Sequence, residues 1–181
     1  MISQTDRLLE LRIENKKLKQ QIASLEEKIM SLVGMVKIES SGGVDKKNVL
    51  NDLLINLINS TNDQLNIVTP RIDEFYAKEL IRAVERGIPV LLITNDRSEI
   101  PKNYIPIYDN LKITQGINVI NNPNVKYLLA FNTKQAIYAG GSLDKEELSR
   151  SILITTTIKE KTKLKLIAEI FSLMLPTFMR K

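Results

Sequence analysis

The chain has 181 residues, of which 43% are hydrophobic and 26% charged, enough apolar material for one buried core and an extension. Its formal net charge of +5 permits contact with nucleic acid or anionic lipid without requiring either. Cysteine and histidine are absent, which excludes disulfides, imidazole acid–base chemistry and zinc sites built from these residues. We expect no cofactor. Since no apolar run of about 20 residues and no signal-peptide core is present, we expect a cytoplasmic protein without a membrane span.

Residues 1–36 carry a heptad repeat with an apolar seam. Leucine and isoleucine alternate at spacings of three and four residues, which predicts a long helix in a parallel dimeric coiled coil. Asn15 lies in this seam and can bond to its equivalent only in a parallel, in-register dimer. The alternative is an amphipathic helix that folds back on its own domain, although such helices usually have a broader apolar face. The predicted dimerisation residues are Leu8, Leu11, Asn15, Leu18, Ile22, Leu25, Ile29 and Leu32.

Residues 37–46 are predicted to be a flexible linker, because two serines and two glycines interrupt the heptads there. Residues 47–181 alternate helices with short apolar strands, which predicts an α/β domain. The segment after Thr94, which contains Pro101, is predicted to be a polar loop, and residues 140–142 begin a loop with a short helical turn. Predicted helices cover 47–60, 74–86 and 159–178, and predicted strands cover 65–69, 88–94, 118–120, 125–131, 135–139 and 151–157.

Two segments of this domain resemble the phospholipase D-like superfamily. In 65–94 a strand, a polar turn, a helix, a basic residue with Gly87 and a second apolar strand follow in the order seen in that family. The segment 124–142 lies where the family has its His-x-Lys, Asp and Gly-Ser signature. The resemblance covers 49–178 and implies a mixed sheet flanked by helices, here preceded by the long coiled-coil helix.

The signature is incomplete in this chain. Asn124 stands where the family has its catalytic histidine, whereas Lys126 and Ser142 match. The family's aspartate would fall at Phe131, or at Asn132 with a shift of one residue. An amide is not a nucleophile, so we expect a protein that is not an enzyme. The architecture is also similar to the effector part of archaeal TrmB-type regulators, in which a coiled-coil helix precedes a phospholipase D-like domain.

Polar residues after the predicted strands are candidates for binding an anion, because α/β folds place ligands at the carboxyl ends of strands. Lysine and arginine donors suit a phosphate, a sugar phosphate or a nucleic-acid backbone. The alternative is a relic pocket filled by internal hydrogen bonds. The candidate ligand-binding residues are Asn124, Lys126, Ser142, Arg71 and Arg97.

The densest basic stretch lies in 159–165. It is interpreted either as the solvated face of a core helix or as a stripe that contacts phosphates and is doubled in the dimer. Few aromatic residues interleave it, so stacking on single-stranded bases is not expected. The candidate nucleic-acid contacts are Lys159, Lys161, Lys163 and Lys165.

The sequence therefore favours a non-catalytic homodimer that binds DNA, a protein partner or a small anion, most specifically a DNA-associated regulator or adaptor. A phosphodiesterase or nuclease without histidine is the second hypothesis. It would need carboxylates such as Asp73, Asp96 or Asp144 around a metal, and their spacing gives no independent support, so no metal site is expected. The third hypothesis is a structural protein whose coil extends into larger assemblies.

Overall fold

The structure is a computed structural model that describes residues 4–43 and 48–179. The chain forms two compact units, Met1–Met35 and Val36–Lys181. None of the described helices is long and apolar enough to cross a membrane.

The first unit is a single helix, α1, over Gln4–Val33; that it forms a coiled coil stays a prediction. Every α1 side chain that the structure describes is exposed, and the apolar seam residues Leu11, Leu18 and Ile22 are each more than half exposed. The side chains of Leu8 and Leu32 lie outside the described residues. Dimerisation of α1 stays a prediction, which the exposed stripe supports because an isolated amphipathic helix is marginally stable in water.

The second unit is built on one mixed sheet of seven strands in the order β1-β7-β6-β5-β2-β3-β4. Strands β2, β3 and β4 run parallel, whereas β5, β6, β7 and β1 follow in antiparallel pairs from β2 outward. The predicted α/β class and mixed sheet are therefore confirmed. The strands are β1 (Val36–Ser41), β2 (Leu65–Val68), β3 (Val90–Thr94), β4 (Ile117–Asn121), β5 (Leu128–Phe131), β6 (Ala136–Ala139) and β7 (Leu153–Ile158).

Helices cover both faces of this sheet. One face packs against α2, α3, α4 and α5, and the other packs against α6. Strand β3 is buried on both faces along its whole length, which explains its uninterrupted apolar sequence. The helices are α2 (Val49–Ser60), α3 (Glu74–Glu85), α4 (Ile105–Ile113), α5 (Lys145–Arg150) and α6 (Lys161–Leu173), with 3₁₀ turns at Lys102–Tyr104 and Thr177–Met179.

The prediction of a flexible linker over 37–46 is wrong for its first half. Residues 36–41 form the edge strand β1, which pairs antiparallel with β7 over six residues. Ser41 is buried, and its hydroxyl accepts the backbone N–H of Leu50 at 2.8 Å. Pairing with a strand more than 110 residues away stabilises a Ser-rich segment that looks unstructured by composition alone. Residues 44–47 lie outside the described residues.

The predicted polar loop after Thr94 is also partly wrong, because it contains α4. Pro106 lies in the first turn of this helix, where its missing N–H leaves no hydrogen bond unmade. Tyr108 and Leu111, three residues apart, are the buried face of the helix. At nine residues the helix is too short for its periodicity to stand out in the sequence.

Candidate functional site

The sheet topology gathers the five predicted ligand-binding residues at one edge. Arg71 follows the carboxyl end of β2, and Arg97 follows the carboxyl end of the parallel strand β3. Asn124 and Lys126 precede the amino end of β5, which runs antiparallel to β2. Ser142 follows the carboxyl end of β6. We call this edge, where β2, β3, β4 and β6 end, the carboxyl edge.

Arg71 is already engaged by acidic side chains at this edge. Its Nη2 donates to Glu147 Oε2 at 2.8 Å, and its Nε lies 3.6 Å from Asp144 Oδ2. Its guanidinium also stacks on the ring of Tyr104, 5.3 Å from the ring centroid. The Tyr104 hydroxyl in turn donates to Asp144 Oδ2. Arg71 therefore serves an internal network and does not present an unpaired positive charge.

The carboxylates of this network also cap helices. Asp144 Oδ1 accepts the N–H groups of Glu146 and Glu147 at the start of α5. Burial raises the pKa of Asp144, but the Tyr104 hydroxyl, the Glu147 N–H and Arg71 outweigh burial and leave that pKa below its usual value. Asp144 is therefore held ionised as a structural anion.

Asp73 plays the same capping role for α3. It accepts from Tyr76 N and Lys145 N at 2.8 Å each. Burial nevertheless raises the pKa of Asp73, because these cap hydrogen bonds offset the burial only in part. The backbone N–H of Asp73 also donates to Leu143 O, so Asp73 joins the loop after β6 to the start of α3.

The described residues contain no ligand cluster of the kind that a metal-dependent phosphodiesterase would need. Within residues 4–43 and 48–179, no group of three or more acidic side chains is arranged to hold a metal ion. Asp73 and Asp144 are committed to helix caps, and Asp96 makes no side-chain hydrogen bond to either of them.

Arg97 is paired as well. It is exposed, and its Nε and Nη2 donate to the two carboxylate oxygens of Asp109 at 2.8 Å each. This arrangement lowers the pKa of the Asp109 carboxyl. An incoming anion would have to compete with a bidentate partner for Arg97.

Lys126 is the predicted basic ligand that remains available. Asn124 and Lys126 are both exposed, on either side of the buried Val125, and no hydrogen bond or ion pair of the Lys126 ammonium occurs among the described residues. Ser142, in the loop that follows β6, is buried. The carboxyl edge therefore offers Lys126, which has no ion pair among the described residues, beside the carboxylates of Asp73, Asp144 and Glu147.

Asn132, one candidate for the family's aspartate position, lies at the opposite edge of the sheet. Its Oδ1 accepts the N–H groups of Lys134 and Gln135 at 2.9 Å each, and its Nδ2 donates to Thr61 Oγ1 at 2.9 Å. Asn132 thus stabilises the turn between β5 and β6. Phe131, the other candidate, is buried against α6.

The basic stretch is separated from the carboxyl edge by the length of the strands. Lys159 and Lys161 follow the carboxyl end of β7, which runs antiparallel to β6, so they lie at the edge where Asn132 lies. Lys159, Lys161 and Lys165 are exposed and have no ion pair within the part of the chain that the structure describes. Lys163 pairs with Glu160 at 2.8 Å. The structure therefore does not combine the two predicted sets into one site.

Tyr104 and Glu147 are site residues that sequence reasoning missed. Tyr104 precedes α4, in a segment predicted to be a loop, and Glu147 lies in the short helix α5. Glu147 is 76 residues away from its partner Arg71. No local pattern marks such a pair, because the two loops meet through tertiary contacts such as the parallel bridge between Ile72 and Leu143.

No protein-family model and no curated protein sequence matches this chain. Solved structures do match. NucT from Helicobacter pylori aligns with a TM-score of 0.65 at 14% identity, over 77% of this chain and 95% of that chain. A phospholipase D family member, Nuc from Salmonella typhimurium, aligns with a TM-score of 0.64 at 12% identity, over 77% of this chain and 93% of that chain. The phospholipase D-like fold is therefore confirmed.

A third match is TrmBL2, an archaeal chromatin protein whose structure shows a novel mode of DNA binding. It aligns with a TM-score of 0.51 at 14% identity, over 92% of this chain. This chain spans 63% of TrmBL2.

The comparisons correct one prediction. Phosphatidylserine synthase from Haemophilus influenzae shares the fold with a TM-score of 0.56 at 14% identity, over 75% of this chain and 36% of that chain. The prediction that this chain is not an enzyme is wrong by this comparison, because the fold is one that enzymes use. The conclusion from the sequence is narrower: any catalysis by this chain proceeds without a histidine of its own.

Proposed function

We propose that this chain is a DNA-associated regulator or adaptor that binds the phosphate backbone as a homodimer joined through α1. The observation that carries the proposal is the extent of the likeness to TrmBL2. Residues 36–181 make up about four fifths of the chain, so an alignment over 92% of it includes part of α1. The likeness thus supports a shared arrangement of a long helix ahead of a phospholipase D-like domain.

The distribution of unpaired charge supports a DNA contact at the edge of the sheet opposite the carboxyl edge. Both arginines at the carboxyl edge are neutralised by carboxylates. Lys159, Lys161 and Lys165 are exposed and unpaired, and lysine binds phosphate as a point charge without needing a fixed geometry. The proposed contact is therefore this lysine group, with Lys163 as a weaker member because of Glu160.

A dimer would double this electrostatic contact. Each phosphate neutralised by a lysine releases counterions, so affinity falls with salt in proportion to the number of contacts. A parallel coiled coil would bring two copies of the lysine group to one duplex. This explains how a chain with a net charge of only +5 would bind DNA measurably.

The experiment compares DNA binding by the full chain and by a variant carrying Lys159→Ala, Lys161→Ala and Lys165→Ala, across a salt series. We expect the variant to bind all sequences more weakly and to lose about three units of salt slope per chain, about one per lost phosphate contact.

The matched control carries Lys78→Ala, Arg82→Ala and Arg150→Ala. It loses the same charge, but each of these residues is ion-paired with a glutamate of its own helix. We expect the control to keep its salt slope. Binding that does not depend on salt, or an equal loss in the control, contradicts the proposal.

A second candidate function is chemistry on phosphate esters, favoured by the alignment with NucT and Nuc over nearly their full length. The residue it would use is Lys126, an exposed lysine at the carboxyl edge that has no ion pair among the described residues. The test is hydrolysis of bis(4-nitrophenyl) phosphate and of DNA, with and without Mg²⁺. Activity that Lys126→Ala abolishes, and that Lys134→Ala in the turn between β5 and β6 leaves intact, would support this function. No turnover by the unaltered chain would reject it.

A further inference from the structure

Strand β7 has its polar and apolar faces reversed with respect to solvent. Thr155 and Thr157 lie on the same side of the sheet as Leu153, which packs against the cluster of α2–α5, and are 1% and 7% exposed, whereas Ile154, on the other face, is 71% exposed. In a strand with one buried face, the apolar set normally faces the core. The reversal indicates that the face carrying Ile154 is covered in the functional protein.

The register extends this face over three strands. Thr156 of β7 lies between Tyr138 of β6 and Ile38 of β1, so these side chains point to the same side. Ile38 is 69% exposed and Tyr138 is 46% exposed. We call this surface of β6, β7 and β1 the open face; it is formed by Ile38, Ser40, Tyr138, Ile154 and Thr156, and it carries no charged side chain.

The open face lies on the same side of the sheet as α6. Ala136 and Ile158, which alternate with the residues of the opposite side, belong to the apolar cluster of Leu164 and Phe171 on α6. Tyr127 bridges the two regions, since its ring contacts Tyr138 and its hydroxyl donates to Met174 Sδ. Helix α6 therefore covers β2–β5 on this side, together with Ala136 of β6 and Ile158 of β7, and leaves the rest of β6, β7 and β1 exposed there.

Helix α6 carries a second apolar stripe turned away from its own sheet. Leu164 and Phe171 face the sheet and are buried, whereas Leu166 and Ile170, four residues apart, are 55% and 48% exposed. A helix that is apolar on two sides is typical of one packed between two layers. Within the described residues, the sheet packs against only one of these two sides of α6.

We propose that a second copy of this chain covers the open face, with the outer stripe of α6 of each protomer packed on the open face of the other. Each chain carries both halves of this contact, one uncovered apolar sheet and one uncovered apolar helix stripe. A two-fold axis satisfies both halves at once, as in isologous dimers.

The chemistry of the surface favours a second copy over other partners. The open face carries no cation that could neutralise a phosphate backbone. Only two residues, Gly34 and Met35, separate α1 from β1, so a copy recruited by the predicted coiled coil would be the nearest one. This contact lies in the α/β domain and uses none of the α1 seam residues.

The absence of cysteine allows a direct test on the full chain. A variant carrying Ile154→Cys and Ile170→Cys is treated with a short bismaleimide and analysed under denaturing conditions. We expect most of the protein to appear at twice the chain mass, since each proposed dimer brings the two substituted positions of different chains together. Both positions are exposed, so the substitutions should leave the fold intact, which circular dichroism checks.

The control carries Ile113→Cys with Ile170→Cys. Ile113 is 83% exposed and lies at the end of α4, on the other side of the sheet. We expect this control to remain at single chain mass, and Leu166→Lys added to the first variant to abolish its linking. Equal linking in the control, or no doubling of mass in a folded test variant, overturns the proposal.

Discussion

Gly42 shows how one residue holds the start of the α/β domain in place. It follows β1 with a φ of +81°, and a Cβ there would lie 2.0 Å from the Ser151 carbonyl oxygen and 2.8 Å from that of Leu148. Only glycine fits this approach of two backbone segments. Gly42, which lies in a segment predicted to be a flexible linker, is therefore part of a tight contact between two backbone segments.

We predict that Gly42→Ala destabilises the protein by about 3 kcal/mol or more, because it combines the cost of a positive φ with a backbone clash. Gly87→Ala is the matched control. Gly87 has a similar φ of +84° but no atom within 4 Å of the added Cβ, so it should cost only about 1 kcal/mol. Urea unfolding of the two variants measures the difference; equal losses would refute the packing contact.

Asp144 is the residue whose charge links stability to pH. Its pKa is below the usual value in the folded chain, so its stabilising contribution is complete above the unfolded pKa of about 4 and is lost as pH falls through the lower folded pKa. Asp144→Asn keeps a helix-capping side chain but loses the charge that Tyr104 and Arg71 face. We expect the variant to be about 1–2 kcal/mol less stable at neutral pH.

The pH dependence separates charge from packing. Below pH 4 the difference in the free energy of unfolding between Asp144→Asn and the unaltered chain should shrink. The unfolded unaltered chain takes up a proton at this carboxylate there, whereas the folded chain takes it up only at a lower pH. Asp96→Asn, at a carboxylate without side-chain hydrogen bonds among the described residues, should show no difference at either pH. A gap that stays constant from pH 7 to pH 3 in urea unfolding would show that the charge is not the cause.

At the scale of the element, the inverted faces of β7 leave two buried hydroxyls without a hydrogen bond. The Thr155 and Thr157 side-chain oxygens are buried without a hydrogen-bond partner. Thr155→Val keeps the shape and removes the buried hydroxyl, so we expect it to stabilise the domain by about 1 kcal/mol.

Thr61→Val is the matched comparison for this prediction. Thr61 is equally buried, but its hydroxyl donates to Leu57 O at 2.7 Å and accepts from Asn132 Nδ2. We expect this change to destabilise by about 1–2 kcal/mol, since it leaves the Asn132 amide unpaired. Thermal unfolding should therefore shift in opposite directions; a loss of stability for Thr155→Val would mean that its hydroxyl is satisfied in solution.

At the scale of the whole molecule, two surfaces are proposed to join the same pair of chains. Because either surface alone would hold the dimer, we predict that Leu18→Glu with Leu25→Glu in the α1 seam leaves a dimer in light scattering. Adding Ile154→Lys should then give a monomer with about half the salt slope for DNA.

The control for the seam is Gln20→Glu with Ser24→Glu, which adds the same charge on the outer side of α1. It should stay dimeric even with Ile154→Lys, because the seam is intact. A monomer from the seam variant alone would reject the second surface, and particles larger than a dimer would favour the structural assembly hypothesis.

Periodicity and composition alone determined a large part of this protein. The heptads of residues 1–36 predicted a long helix, and the apolar run before Thr94 predicted the buried strand β3. Both predictions depend only on residues that are close together in the sequence. The absence of histidine excluded imidazole chemistry without any structure. The combination of strand, helix and Gly-Ser motifs was sufficient for the fold, which the solved structures confirm.

Only the tertiary structure decided which of the candidate residues are available. Arg71 and Arg97 look like anion ligands in the sequence, yet Glu147 and Asp109 already bind them. The same holds for β1, whose Ser-rich sequence becomes a strand through β7. These contacts join residues 12 to more than 110 positions apart, and strand order places Lys126 and Lys159 at opposite edges. Local sequence patterns indicate whether a segment tends to form a helix or a strand. Which strands pair, which charges are neutralised and which part of the sheet stays uncovered depend on distant parts of the chain.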